Sequence, residues 1–251
     1  MSAQVSTALL VLRTEESKQL IGQAVAQLPQ VQSATHKGHM VVVGGGTTRY
    51  VAQALTGQDP TTEHFAIGWI HEGALGETDQ TNRGPGPFIW ENGQTRRGWP
   101  ADVLQNYGAG DIYIKGANAL DVEGNVGILM GSPTGGTIGA AYTILLARGA
   151  ELIVPVSLEK LIPGSVFAAA GLLGQQRIDR VMGDPVGMMP IHHLNATVVT
   201  EITACALLYR LKATAVSAGG VEDCRGGVTL HVEGHEADIE QLWLYLQRLR
   251  A

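Results

Sequence analysis

The stretch Val41–Val42–Val43–Gly44–Gly45–Gly46–Thr47–Thr48 has the residue types of an anion cradle. Apolar β-branched residues run into three glycines and two hydroxyls, and Arg49 to Leu55 continues with helix-like spacing. That order predicts a buried strand, a tight turn and a helix N-terminus. Such a turn leaves main-chain N–H groups unpaired at the positive end of a helix dipole. Glycine also lets a ligand come close, because no Cβ stands in the way. The plain alternative is a strand-to-helix turn with Thr47 or Thr48 as N-cap. The stretch is not a G-x-x-x-x-G-K-[ST] loop, since no Lys follows the glycines. It is not G-x-G-x-x-G either, since Tyr50 and Val51 stand where later glycines are needed. Lys115, at the end of an apolar run and beside Gly116, could neutralise a phosphate or carboxylate; a surface lysine is the plain alternative. His192–His193 could bind a metal or move protons, but no His/Cys/Asp cluster at ligand spacing surrounds them, so no metal is expected. Neighbours on a strand point to opposite faces, which predicts one histidine buried and one exposed.

These residues need a scaffold, and the apolar pattern supplies one. Strands are expected at Thr7–Leu12, Met40–Val43, Phe65–Ile70, Asp111–Lys115, Val126–Met130 and Leu152–Val156. Glu15–Leu28 has helical spacing, with Leu20, Ile21, Ala24, Val25 and Leu28 on one face. Ile138–Arg148 reads as a helix behind the turn Gly131–Thr137. Repeated strand, glycine turn and helix predicts an α/β domain over residues 1–212, with a largely parallel sheet and helices on both faces. Its glycine turns fall at the carboxyl ends of the strands, where such sheets gather ligands. Residues 76–100, rich in Gly, Pro, Asn and Thr, read as a long irregular loop. In the tail, Ala213–Val221 and Val228–Val232 alternate around Gly226–Gly227, and Glu236–Arg250 has helical spacing. Residues 213–251 are therefore expected to form a small β–β–α appendage.

Composition narrows the class. The 251 residues are 45% hydrophobic with 33 glycines, enough for a sizeable core of strands buried on both faces. A net charge of −6 and the lack of a basic tract argue against nucleic acid as a partner. The two cysteines, Cys205 and Cys224, make neither a disulfide framework nor a metal motif. No apolar run reaches the roughly 20 residues of a membrane span. Met1–Thr14 lacks a basic leader before Glu15–Glu16, so a cytoplasmic protein is expected.

The order of these motifs resembles the superfamily of ribose-5-phosphate isomerase, glucosamine-6-phosphate deaminase and the CoA transferases. Gly44–Thr48 is similar to the isomerases' glycine–threonine loop. The stretch matching their acidic segment is Lys115–Gly116–Ala117–Asn118–Ala119, which keeps the Gly–Ala pair and lacks every acid. Asn and Ala cannot serve as a general base, so a phosphosugar isomerase relative is the weaker alternative. The β half of the class I CoA transferases is similar to more of the chain, from about Met40 to Leu207. Its motifs correspond to Gly44–Gly46, Glu72–Gly73, Gly116–Asn125, Gly135–Gly136, Pro185–Gly187 and Val199–Ile202.

The resemblance implies a transferase that acts on an acyl-CoA or small carboxylate through a glutamate nucleophile, with CoA as co-substrate and no tightly bound cofactor. Glu72 is the implied nucleophile. Glu91, in Trp90–Glu91–Asn92–Gly93, is its rival. Glu72 could equally cap a turn or pair with Arg83, Arg96 or Arg97. Gly135 and Gly136 would donate amides to the oxyanion, Gly44, Gly45, Gly46, Thr47 and Thr48 would hold the carboxylate or phosphate, and Lys115, Gly116, Ala117 and Asn118 would complete the site. Residues 76–100 would form a lid. Only one half of a transferase is recognisable, so a homo-oligomer or a separate second subunit is expected to supply the rest. A binding protein that keeps the anion pocket without the chemistry is the other alternative.

Overall fold

The computed structural model describes residues 5–60, 65–79 and 81–250. Its centre is a six-stranded sheet in the order β12-β10-β7-β2-β5-β6. Strands β2 (His39–Val42), β7 (Ile112–Ile114), β10 (Glu151–Pro155) and β12 (Thr197–Val199) run parallel. β5 (Phe88–Glu91) and β6 (Gln94–Arg97) add an antiparallel edge. The fold is thus mixed α/β with a largely parallel sheet.

Strand alternation divides the core into two layers. Met40, Val42, Ile112, Ile114 and Ile153 face one side, where they meet Leu20, Ile21, Ala24 and Val25 of α1 (Thr14–Ala26) and Val51 and Ala52 of α3 (Thr48–Thr56), α2 being Pro29–Ala34. Val41, Val43, Tyr113, Leu152 and Val154 face the other side. There they meet Val103 and Leu104 of α4 (Ala101–Leu104) and Ile138, Ala141 and Leu145 of α5 (Gly136–Arg148). A second, antiparallel sheet of β11 (Gly187–Ile191), β9 (Val126–Met130) and β8 (Ala119–Leu120) adds Val126, Ile128 and Ile191 to this layer.

Three expectations need correction. Phe65–Ile70 does not enter the main sheet: β3 (Gly68–His71) pairs only with β4 (Ala74–Glu77), in a separate hairpin. Residues 76–100 are not an irregular loop, because they hold the end of β4 and all of β5 and β6. Asn92 and Gly93 adopt φ of 49° and 88°, and Glu72 and Gly73 adopt 49° and 76°. Two successive left-handed residues make the tight turn whose twist matches a hairpin. The third correction concerns the tail. β13 (Lys212–Ala218), β14 (Val228–His235) and α8 (Glu236–Arg250) form as a β–β–α unit, but β1 (Val5–Leu12) pairs with β14 from Val5↔His235 to Leu12↔Val228. Leu230, Val232, Leu242 and Leu246 then share one apolar cluster with Met40 and Ile114. Arg250 at the end of α8 clasps the buried Glu16 of α1 with contacts of 2.8 and 2.9 Å. Residues 213–251 therefore do not stand apart from the main core. No helix among the described residues is long and apolar enough to cross a membrane.

Candidate anion-binding cleft

Three of the parallel strands end at one rim, where β2 leads into Gly44–Thr47, β7 into Lys115–Asn118 and β10 into Ser157–Lys160, and the antiparallel β9 adds Gly131–Gly135. These four segments line a single cleft of about 640 Å³. Trp69, Ile70 and Leu75–Glu77 of the β3–β4 hairpin form one wall, and Gln175 and Asp184–Val186 another part of the rim.

The glycine loop is fixed by a tight approach. A Cβ on Gly44 would lie 1.6 Å from the carbonyl oxygen of Phe65, so no other residue fits there. Thr48 does not line the cleft. It is fully buried, and its hydroxyl donates back to the carbonyls of Val43 (2.6 Å) and Gly45 (3.2 Å). Thr47 occupies the N-cap position of α3 but makes no side-chain cap bond. Thr47 lines the cleft and is 3% exposed, and its buried hydroxyl finds no hydrogen-bond partner among the described residues. The first intrahelical bonds run from Arg49 N to Gly45 O and from Tyr50 N to Thr47 O. The amides before them are the unpaired donors that any helix start leaves.

A second helix start faces the same space. Gly135 caps α5 in the left-handed region, with φ of 81°, and Gly139 N to Gly135 O is the first bond of the helix. The amides of Gly136, Thr137 and Ile138 are left without an intrahelical acceptor, and all three residues line the cleft.

Positive charge gathers between the two helix starts. Lys18, Lys115 and Lys160 line the cleft. Lys18 is neutralised by Glu15 at 2.7 Å. Lys160 Nζ donates to the carbonyl of Ala117 at 2.9 Å. Burial lowers its pKa, and the charge of Lys18 adds to this. The Lys115 ammonium makes no hydrogen bond or ion pair among the described residues, and its pKa is pushed down to about 8, first by burial and then by the charge of Lys160. The turn carrying Lys160 is anchored from below by the buried Glu201, which accepts from Ser157 Oγ (2.5 Å) and Leu158 N (2.9 Å). Burial raises the Glu201 pKa despite those bonds.

The cleft thus collects Gly44, Gly45, Gly46, Thr47, Lys115, Gly116, Ala117, Asn118, Gly135 and Gly136. It does not collect Glu72 or Glu91. Glu72 sits at the tip of the β3–β4 hairpin with 85% of its side chain exposed, 3.7 Å from His71. Glu91 faces Arg96 at 2.7 Å, across the turn of the β5–β6 hairpin. The carboxylates on the cleft lining are Glu77, which holds Arg83 at 2.8 Å, Glu159 and Asp184. Asp121, in the turn between β8 and β9, is structural. Burial works against its ionisation, but amide donors from Val166, Asn125 and Glu123 and the Asn125 side chain prevail and hold its carboxyl below the usual range.

The histidine pair also departs from expectation. His192 is half-buried and His193 exposed, yet the rings stack at 4.3 Å instead of pointing apart. They stand at the start of a 3₁₀ turn, His193–Asn195, and not within a strand. Among the described residues no three of His, Cys, Asp and Glu gather as a metal site. Sequence reasoning missed Lys160 and Lys18. The signal for Lys160 lies in its place just beyond the strand expected at Leu152–Val156. No protein-family model, curated protein or solved structure matches this chain.

Proposed function

We propose that this chain binds a small anionic ligand, a carboxylate or phosphate, in the cleft at the carboxyl ends of its parallel strands. The observation that carries the reading is the buried, unpartnered hydroxyl of Thr47, in a cleft that two helix starts and the unpaired Lys115 also line. A buried hydroxyl without a partner forfeits about 1–3 kcal/mol, which a bound anion oxygen would return. Two sets of free amides and two cations then receive the charge. Thermal denaturation with inorganic phosphate, acetate, succinate and CoA tests this, since a ligand bound only by the folded state raises the apparent stability. At least one of these anions is expected to raise Tm in the parent and to do so less in Thr47→Val. A flat response to the whole panel refutes the reading.

CoA-transferase-like chemistry is the catalytic form of the same proposal, and the motif order from Met40 to Leu207 favours it. One feature of the fold bears on it: the hairpin that carries Glu72 at its tip also forms a wall of the cleft. In that reaction a Glu72 carboxylate oxygen attacks the thioester carbonyl, the CoA thiolate leaves, and a mixed anhydride remains. The thiolate then attacks the glutamyl carbonyl to give a glutamyl thioester and free carboxylate. The amides of Gly136 and Thr137 would receive the oxyanion, since the Gly135 amide is taken by the Ser132 carbonyl at 2.9 Å. Hydroxylamine trapping with an acyl-CoA panel, followed by peptide mass mapping, is expected to mark Glu72. An unmarked Glu72 leaves anion binding as the function.

A further inference from the structure

Lys115 is the least explained group in the cleft. It follows β7 at the mouth of the sheet, lines the cavity, and among the described residues has no carboxylate, carbonyl or hydroxyl to hold its ammonium. Lys160, by contrast, has its Nζ tied to the carbonyl of Ala117. A cation left unpaired next to a second cation is costly in a folded protein, unless what is wanted is the free amine.

We propose that Lys115 forms an imine with the carbonyl group of a short oxo acid whose carboxylate rests on the free amides of Gly44–Thr47. The inference builds on the anion reading of the cleft and names its ligand class. The Lys115 nitrogen attacks the carbonyl carbon, forming the C–N bond as the C=O π bond breaks, and one nitrogen proton passes to the oxygen. The carbinolamine hydroxyl takes a second proton from solvent and leaves as water, and a protonated imine remains. One water is released, and no oxidant or reductant is needed. The groups facing Lys115 suit both ends of this ligand. Lys160 supplies positive charge, Lys18 is held by Glu15, Glu159 lies on the lining beside Lys160, and the Thr47 hydroxyl is an unused donor for the carboxylate. A lysine lowered to about 8 holds about two hundredfold more free base at pH 7.5 than an ordinary one near 10.5.

The test uses the full chain with acetoacetate or pyruvate and sodium cyanoborohydride at pH 7.5, read by peptide mass mapping. Hydride delivered to the imine carbon leaves a stable secondary amine. The chain offers its own controls, since Lys37 and Lys212 compete with Lys115 for the same reagent. Lys115 is expected to be labelled at least about tenfold faster than either. Acetone, which has the carbonyl but no carboxylate, is expected to label it more slowly. Inorganic phosphate is expected to slow the labelling of Lys115 alone. Equal labelling of the three lysines, or no adduct at Lys115, overturns the proposal. A phosphate-induced rise in Tm without any Lys115 adduct overturns the imine and leaves the anion site standing. An adduct confined to Lys115 without any response to phosphate keeps the imine and removes the anion reading. Lys115→Arg is expected to lose the adduct; should that variant not fold, the competition within the parent chain decides the matter by itself.

Discussion

Replacing Lys115 by methionine removes a cation from the cleft at nearly constant side-chain length, and the structure sets the size of the effect. An ordinary lysine titrates near 10.5 and Lys115 near 8, lowered by burial and by Lys160. Below pH 8 both the folded and the unfolded chain carry the proton, so the folded state bears the full cost of a buried charge. Between pH 8 and 10.5 the unfolded chain holds a proton that the folded chain has released, so stability rises with pH across that window. The difference corresponds to about 3 kcal/mol at pH 7 and about 1 kcal/mol at pH 10. Lys115→Met is therefore expected to be more stable than the parent in urea at pH 7, and to lose most of that advantage by pH 10. Lys160 and Glu201, both shifted by burial, are present in both proteins, so the comparison reads Lys115 together with its repulsion from Lys160. At pH 7 the same variant is expected to bind phosphate at least about tenfold more weakly, by calorimetry. Lower stability at pH 7, or a difference that does not change with pH, refutes the reasoning.

Other substitutions separate structural from functional residues. Gly44→Ala drives a methyl into the Phe65 carbonyl at 1.6 Å, and is expected to cost about 3 kcal/mol or more in chemical unfolding. Glu72→Gln, at an exposed hairpin tip, is expected to change stability by less than about 0.5 kcal/mol in the same assay, while abolishing any acyl adduct. Asp121→Ala strands buried amides of Val166 and Asn125, and is expected to cost about 3 kcal/mol. Because the folded state holds the Asp121 carboxyl below its ordinary value, its contribution is present above that ordinary value and fades as pH falls through the lowered one. Unfolding of the variant is expected to lack this acid-side loss.

Much of the scaffold was legible in the sequence, because burial on both faces leaves continuous apolar runs. Met40–Val43 and Leu152–Val156 read as strands for that reason, and α1 showed its apolar stripe at Leu20, Ile21, Ala24 and Val25. The glycine corners pointed to the rim, since each follows such a run. What the sequence hid was pairing over long distance. Nothing near Val5–Leu12 says that it will lie against Val228–His235, more than two hundred residues away. The β5–β6 hairpin was legible in principle, because Asn92–Gly93 is a strong turn signal, but the surrounding glycines and prolines obscured it. Lys160 escaped because its role depends on where a 3₁₀ turn aims one side chain, and that is set by the buried Glu201 from another part of the chain.

The central claim is that amides from separate glycine corners receive one anion, and nuclear magnetic resonance of the labelled chain during a phosphate titration tests it most directly. The account predicts that the amide signals of Gly45, Gly46 and Thr47 move together with those of Gly136 and Thr137 along a single binding curve. Signals that stay still, or two sets that follow different curves, contradict it.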